Sequence, residues 1–301
     1  MKILLLYPEY SYPRKNPPIG LASLAGHLRT RGHEIKIVDE NVSDMTRGEI
    51  KALIEDWKPA VLGISFMTNQ YKAAMDLISW CGENAPYTFK VAGGPHPSAL
   101  PEKVMEEAPA LDAVVYGEGE IALDLLIARL ASGGARDLKT IPSLAFRTKE
   151  GGIVRTPQAT ESFPFEDDPP WPAWDLLELS KYEVFGPSGD PDKTTFALLS
   201  SRGCPAHCTF CDAFTVFGRK FRGRGVKSLM AEIKYLHDKF GMEQFDYVDD
   251  LFTVDRQRVL DFSAAMKKEY NGKMGWSANA RLDRLDEEMC TAMKESGAVR
   301  I

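Results

Sequence analysis

The sequence of 301 residues predicts an α/β protein in two parts, a Rossmann-like doubly wound parallel sheet followed by a partial (β/α) barrel. Three observations predict this class. Short apolar runs alternate with helical patterns in the first third, the alternation is lost between residues 133 and 192, and it resumes from Thr194. We therefore expect a first domain at residues 1–135, a hairpin and proline-rich linker at 136–192, and the barrel part at 193–301.

Five strands with helices between and after them are predicted for the first domain, an order that makes the strands parallel. Ligands of such sheets bind beyond the carboxyl ends of the strands. The expected strands are Lys2–Tyr7, Glu34–Asp39, Ala60–Phe66, Phe89–Gly93 and Ala113–Tyr116, and the expected helices are Ile19–Arg31, Ile50–Trp57, Tyr71–Asn84, Pro101–Ala108 and Ile121–Ala131.

The middle of the chain shows two features. Ser143–Phe146 and Ile153–Thr156 flank Glu150-Gly151-Gly152, a pattern typical of a β-hairpin that extends the first domain. The run from Phe163 to Pro172 contains four prolines, so it predicts a linker rather than a helix or a central strand.

The barrel part is predicted from three strand and helix pairs and the start of a fourth strand. A complete barrel of eight such units takes about 250 residues, so we expect the fold to be unfinished at Ile301. The expected strands are Thr195–Ser201, Gln244–Asp249, Met274–Asn279 and Val299–Ile301, and the expected helices are Ser228–Phe240, Arg256–Tyr270 and Asp286–Ser296.

The charge balance favours a small-molecule ligand. The 37 basic and 43 acidic residues give a net charge of −6, which argues against capture of nucleic acid or of an anionic membrane. The apolar start, Ile3 to Leu6, is too short for a signal peptide or a membrane span, so we expect a cytoplasmic protein.

A basic run lies at residues 219–227. A nucleic-acid patch is one interpretation, but the chain is acidic and no aromatic ladder accompanies the run. We therefore expect a solvated or interface-facing loop. The run consists of Arg219, Lys220, Arg222, Arg224 and Lys227.

Three of the five cysteines crowd together as Cys204, Cys208 and Cys211, a pattern that suits metal ligation better than disulfides. Three thiolates leave one corner of a four-iron cube open to another ligand, whereas a structural zinc site is closed by four ligands. His207 is the alternative fourth ligand, so a small zinc site is the competing interpretation. Cys290 is expected to be buried.

The spacing Cys-x3-Cys-x2-Cys after the first barrel strand, preceded by Ser201-Arg202-Gly203, resembles that of the radical S-adenosylmethionine (SAM) enzymes. The resemblance implies a [4Fe-4S] cluster on Cys204, Cys208 and Cys211 whose open iron chelates SAM, with an electron donor such as flavodoxin or ferredoxin. One electron then splits SAM to a 5′-deoxyadenosyl radical.

Four polar residues at the carboxyl ends of the barrel strands are candidates for holding SAM or substrate. The alternative is that they form loop salt bridges and caps. They are Asp249, Asp250, Asn279 and Arg281.

The first domain contains a Gly-x-Gly-x-x-Ala pattern at residues 117–122, but it follows the fifth strand and carries two carboxylates, which argues against a dinucleotide. Ser65 and Gly93-Gly94, with Pro17 to Leu21 and the loop Gly117-Glu118-Gly119-Glu120, look like those of the cobalamin-binding domain fused ahead of many radical SAM enzymes.

The resemblance implies that Ser65, Gly93 and Gly94 line a slot for the dimethylbenzimidazole tail and that Gly117, Glu118 and Gly119 belong to the same site. The loop from Pro8 to Gly20 contains no histidine, so the Asp-x-His-x-x-Gly ligand pattern is missing and the lower axial position of cobalt would be water or empty. The alternative is an empty Rossmann-like docking module.

These features together predict a cobalamin-dependent radical SAM enzyme, with methyl transfer to an unactivated carbon or phosphorus centre as the leading reaction. A cyclase or rearrangement enzyme of the same architecture, or a non-catalytic corrinoid- or metal-binding fragment, is the alternative. A methylthiotransferase is disfavoured because such enzymes resemble this architecture but have a second cysteine cluster in the leading domain, where this chain has only Cys81.

Overall fold

The computed structural model describes residues 1–11, 15–133, 138–166, 169–184, 186–190 and 192–301. These residues form two compact units. The first contains the described residues up to 163, apart from 15–19, together with 170–178. The second contains residues 179–301 where described, with 15–19, 164–166 and Pro169.

The first unit is a seven-stranded sheet of order β2-β1-β3-β4-β5-β6-β7. Strands β1 to β5 are parallel and β6 and β7 join antiparallel at one edge, which confirms the doubly wound sheet. The strands are β1 (Lys2–Tyr7), β2 (Glu34–Asp39), β3 (Val61–Ser65), β4 (Phe89–Gly93), β5 (Ala113–Val115), β6 (Leu144–Arg147) and β7 (Ile153–Arg155).

Helices lie in the crossovers, and α4 is a short helix that the pattern did not predict. It begins at Pro95, where a missing N–H costs no helical hydrogen bond, and Gly94 is its N-cap. The helices of this unit are α1 (Ile19–Thr30), α2 (Arg47–Trp57), α3 (Tyr71–Asn84), α4 (Pro95–Ala99), α5 (Pro101–Glu107) and α6 (Gly119–Ala131).

Both faces of the sheet are covered, which explains why its central strands are nearly continuous apolar runs. Along β1, Ile3 and Leu5 pack in one core, which includes residues of α1 and α6. Leu4 and Leu6 pack in the other core, which includes residues of α2 and α3. Alternating side chains of one strand therefore stabilise both layers.

Part of the proline-rich segment packs on α1. The Ala173 N–H donates to the Ala22 carbonyl oxygen at 2.8 Å, and Trp174 is 1% exposed. Gly26 of α1 leaves room for this segment, since a Cβ there would lie 2.1 Å from the Trp171 carbonyl oxygen. The domain boundaries at residues 135 and 192 stay a prediction.

The second unit contains a parallel sheet of order β13-β12-β11-β8 with helices in its crossovers, as predicted for a partial barrel. The strand expected at Thr195–Ser201 divides into β8 and β9, and β9 pairs with β10 instead. In chain order the elements are β8 (Thr195–Leu198), β9 (Ser201–Arg202), α7 (Phe214–Phe217), β10 (Arg222–Gly223), α8 (Val226–Phe240), β11 (Gln244–Tyr247), α9 (Arg256–Tyr270), β12 (Gly275–Ala278), α10 (Glu287–Glu295) and β13 (Ala298–Arg300).

Across the described ranges, no helix combines the length and the apolar character that crossing a membrane requires.

Candidate cofactor sites

The three clustered cysteines lie in one loop closed by a two-stranded stem. Strands β9 and β10 form this stem, in which Ser201 pairs with Gly223 and Arg202 with Arg222. We call residues 203–221 the cysteine loop. Gly203 begins it with φ +81°, and a Cβ there would lie 2.2 Å from the Lys220 carbonyl oxygen. The Gly of Ser-Arg-Gly is therefore required by the close approach of the two ends of the loop.

All three thiols are free and reachable. Cys204 and Cys208 are half-buried and Cys211 is exposed. Between the last two lies Phe210, whose side chain is 91% exposed. In the described part of the chain, no three His, Cys, Asp or Glu side chains converge closely enough to hold a metal ion.

Arg281 connects the loop after β12 to the cysteine loop. Its Nη1 donates to Cys208 Sγ at 3.0 Å, and its Nε donates to Asp283 Oδ1 at 2.9 Å. Asp283 first, and Cys208 next, raise the pKa of Arg281. A guanidinium donor stabilises negative charge on sulfur, so the donor set of three free cysteines beside Arg281 fits an iron-sulfur centre by its chemistry, and the loop must bring the three sulfur atoms together to bind it.

Asp249, one of the candidate polar residues, is fully buried behind the stem. Its Oδ1 accepts a hydrogen bond from the Ser200 N–H at 2.7 Å, and its Oδ2 accepts from the Ser200 and Ser201 hydroxyls. Burial raises the pKa of Asp249, and the charge of Arg258 opposes that rise. The Asp249 carboxylate therefore contacts Ser200 and Ser201, the residues that lead from β8 into the cysteine loop.

Asp250, next to it, has a different environment. Its Oδ2 is buried and has no hydrogen-bond donor. Burial, with the neighbouring charge of Asp249, raises the pKa of Asp250 to about 6. Asn279 Nδ2 donates to the Asp249 carbonyl oxygen at 3.0 Å, which joins the ends of β11 and β12. An unpartnered carboxylate at this edge fits a cationic ligand group.

The expectation of a solvated basic loop is wrong for Arg222 and Arg224, each 2% exposed. Arg222 belongs to β10 and donates to the Phe217 carbonyl oxygen at 3.0 Å. Arg224 forms a buried ion pair with Glu232 of α8. Its partner lies on a separate element, so the charge pattern alone could not show this burial.

The predicted cobalamin residues lie at adjacent strand ends of the first unit. Ser65 and Gly93 are paired in register at the ends of β3 and β4. Gly94 has φ +95°, and a Cβ there would lie 2.6 Å from Ser65 Oγ. Gly117, with φ +76°, donates its N–H to Ser98 Oγ at 3.0 Å. This edge consists of glycine backbone and small hydroxyl side chains, which fits the close approach of a large cofactor.

The structure adds one residue to this region that was not a predicted site residue and gives the contacts of two that were. Ser98 joins the site through α4. Glu118 Oε2 accepts from the Phe163 N–H at 3.2 Å. At Gly119 a Cβ would lie 3.0 Å from Leu24 Cδ2, so this glycine brings α6 close to α1.

Known families match both units. Residues 11–127 match the B12 binding domain, and residues 198–301 match the Radical SAM superfamily. An uncharacterized methyltransferase of Pyrococcus horikoshii is 35% identical over 99% of this chain and 63% of its own length. An anaerobic magnesium-protoporphyrin IX monomethyl ester cyclase of Rubrivivax gelatinosus is 28% identical over 100% of this chain and 54% of its own length. The chain therefore spans between half and two thirds of these relatives.

A solved structure has the same fold. The cobalamin-dependent SAM radical enzyme OxsB, with aqua-cobalamin and SAM bound, superposes with a TM-score of 0.79 over 97% of this chain and 41% of its own. The sequence identity is 21%.

The fold and the family matches define a protein that combines a B12 binding domain with a radical SAM domain. The resemblance to cobalamin-binding radical SAM enzymes that the sequence predicted is therefore confirmed. The two domains imply the three cofactors that the sequence predicted, namely cobalamin, SAM and a [4Fe-4S] cluster.

Proposed function

We propose that this chain carries the cofactor sites of a methyltransferase that acts on a small molecule at an unactivated carbon or phosphorus centre. The observation that carries the proposal is the loop of three free cysteines beside Arg281, in a chain whose other unit matches a B12 binding domain. The most similar relative described above is named a methyltransferase. When bound, the cofactors supply methyl transfer at cobalt and one-electron cleavage of SAM.

In the second unit, the three cysteines would hold the cluster and Arg281 would stabilise the charge on Cys208 Sγ. The carboxylate of Asp250, whose buried Oδ2 has no donor, would accept a hydrogen bond from the SAM amino group. Phe210 offers a flat exposed face on which a purine can stack. We propose flavodoxin or ferredoxin as the electron donor, because the centre needs single electrons.

In the first unit, Ser65, Gly93, Gly94 and Gly117 would receive the nucleotide tail of cobalamin at the strand ends. Gly94 lets the chain pass close to Ser65, and Ser98 holds the Gly117 N–H in place, so these strand ends would present a compact edge to the cofactor. The proposed domains are residues 1–135 and 193–301, joined by the hairpin and linker at 136–192.

A cyclase or rearrangement reaction is the second candidate, because a relative of similar coverage is named a cyclase. The fates of SAM separate the two. Methyl donation leaves S-adenosylhomocysteine, whereas hydrogen abstraction by the SAM fragment leaves 5′-deoxyadenosine. Methyl transfer that uses one SAM for each purpose forms both.

The test uses the chain reconstituted without oxygen with iron, sulfide and cobalamin, then mixed with SAM and a one-electron reductant. We expect both S-adenosylhomocysteine and 5′-deoxyadenosine, and we expect the former to require cobalamin. If 5′-deoxyadenosine were the only product, the result would favour the cyclase or rearrangement reaction over methyl transfer. Neither product, from a chain that holds both cofactors, would support the non-catalytic alternative.

A further inference from the structure

Both ends of the stem contact one side chain, that of Arg258 on α9. Its Nη2 donates to the Ser200 carbonyl oxygen at 2.8 Å and to Ser200 Oγ at 2.7 Å, immediately before β9. Its Nε donates to the Arg224 carbonyl oxygen at 3.0 Å, immediately after β10. Arg258 is 8% exposed. One buried guanidinium therefore joins the two chain segments that enter and leave the cysteine loop.

Most of the groups around Arg258 come from the scaffold, and Phe221 of the cysteine loop adds its ring, 5.9 Å from the Arg258 guanidinium. Asp249 accepts hydrogen bonds from Ser200 and Ser201 at the end of β11. The Arg224 N–H donates to the Ser200 carbonyl oxygen at 2.9 Å, and the Arg224 side chain pairs with Glu232. Burial without such partners would be costly for each charge, so these contacts hold the stem in one arrangement.

Gly223 of β10 packs directly against the Arg258 side chain. A Cβ at Gly223 would lie 2.8 Å from Arg258 Nε and 2.9 Å from its Cδ. The φ of Gly223 is not positive, so its backbone conformation does not itself require glycine. The Arg258 side chain occupies the space that any other residue at this position would need.

We propose that Arg258 is a positioning residue for the cysteine loop. By joining Ser200 to Arg224 it fixes the separation of the two ends of the loop, and thereby the arrangement in which Cys204, Cys208 and Cys211 hold their centre. Fixing the ends of a loop removes part of the entropy that ligand binding would otherwise have to overcome. The identity of the centre rests on the proposed function, whereas the order of the loop can be measured without it.

The first test uses the chain without iron and limited digestion by trypsin, because Arg219 and Lys220 lie in the cysteine loop. Arg258→Lys keeps the charge but loses the planar fork that contacts two segments. We expect cleavage at 219–220 to become about tenfold faster, as expected for the loss of one or two hydrogen bonds. Arg256→Lys is the matched control, since Arg256 on the same helix is exposed and pairs with Asp286 and Glu288. Equal cleavage in the two variants would overturn the proposal.

The second test measures iron release to a chelator and the electron paramagnetic resonance (EPR) spectrum of the reduced centre. We expect Gly223→Ala to release iron faster and to change the spectrum, whereas Gly225→Ser does neither, because nothing lies within 4 Å of a Cβ at Gly225. In an Arg258→Ala background, Gly223→Ala should have a much smaller effect, since the two closest atoms belong to Arg258 and only Phe221 Cε1, at 3.1 Å, remains. Additive effects, or a wild-type spectrum in Gly223→Ala, would contradict the role of Arg258.

Failure of the two proposals can be told apart. If the wild-type chain takes up no iron-sulfur centre, the proposed function fails, and the trypsin comparison still decides whether Arg258 orders the loop. If Arg258→Lys does not fold, as judged by circular dichroism, Gly223→Ala carries the digestion test with the guanidinium intact. A chain that loads the centre normally in Arg258→Lys and Gly223→Ala would refute the positioning role alone.

Discussion

The two candidate cofactor sites are built in different ways. In the first unit the strand ends consist of glycine backbone and small hydroxyl side chains, as at Gly94 beside Ser65. In the second unit the cysteine loop depends on buried charges, namely Asp249, Arg258 and the pair of Arg224 with Glu232. We therefore expect ligand binding at the first site to be sensitive to added side-chain volume. Ligand binding at the second site should be sensitive to changes of charge and of hydrogen-bonding geometry.

The difference has a physical reason. A large preformed cofactor can lie against bare backbone at the ends of regular strands, so the sheet itself orders its site. Three cysteines around an inorganic centre require an irregular loop, which has few backbone hydrogen bonds of its own. The ends of that loop are therefore stabilised by side chains from outside it. These side chains are Glu232 on α8, Arg258 on α9 and Asp249, which follows β11.

The largest effect is expected from removing a cluster ligand. Cys208→Ala should reduce the iron content after reconstitution from about four per chain to well below one, because two thiolates do not retain a cube. Cobalamin binding should be unchanged, since the B12 binding domain lies in the other unit. Cys290→Ser is the control, because Cys290 is exposed, contrary to expectation, and far along the chain. Full iron uptake by Cys208→Ala would break the assignment.

Added volume should act on the first unit alone. In Gly94→Ala the new Cβ would meet Ser65 Oγ at 2.6 Å with φ at +95°, a strain of roughly 2–3 kcal/mol. We expect cobalamin affinity, followed by the visible absorbance of the corrin, to fall about a hundredfold. Gly48→Ala on α2, where the new Cβ would have only Thr46 Oγ1 nearby at 3.7 Å, should leave it unchanged. Equal binding by both variants would remove Gly94 from the site.

The effect of charge on SAM binding should appear as a pH dependence. The pKa of Asp250 is raised to about 6, so protonation below pH 6 removes the negative charge that would accept a hydrogen bond from the SAM amino group. SAM affinity should therefore fall up to tenfold per pH unit below about pH 6. Asp250→Asn should bind about tenfold more weakly at pH 8 and lose this dependence. Calorimetric titration at pH 5 to 8 measures both, and identical profiles would exclude Asp250.

The smallest effect is expected at Arg281, which is partly exposed. Arg281→Lys loses the fork that reaches Cys208 and Asp283 together, and a lysine keeps the charge. We expect iron release to a chelator to become about twofold to threefold faster. The free energy of unfolding should change by no more than about 1 kcal/mol, the usual contribution of an exposed ion pair. Asp283→Asn, which removes the other partner of Arg281, separates the two contacts. A tenfold change would give Arg281 a larger role than the structure supports.

Much of the fold followed from the sequence because its strands are short, apolar and separated by helices of clear period. The bounds of β1, β2 and β4 agree with the expected ones to the residue. The short helix α4 and the two-residue strands of the stem were missed, because elements of that length have no periodicity. The spacing of the three clustered cysteines was enough to predict that they lie together in one loop.

The support behind the cysteine loop could not be predicted. Arg222 and Arg224 belong to a basic run that is typical of a solvated loop, and the burial of Arg224 depends on Glu232 and Arg258 on later helices. Asp249 and Asp250 are adjacent and chemically identical, yet one accepts three hydrogen bonds and the other has a buried oxygen without a donor. Only the three-dimensional arrangement distinguishes them.

Under the proposed function, Cys204, Cys208 and Cys211 hold a cube with one iron open to SAM. The most direct measurement is the EPR spectrum of the reduced, reconstituted chain with and without SAM. We predict a signal of a reduced [4Fe-4S] cluster whose g values shift when SAM is added, because SAM becomes a ligand of the open iron. A cluster signal that SAM leaves unchanged, or a chain that binds a single zinc ion and no cube, would contradict the claim.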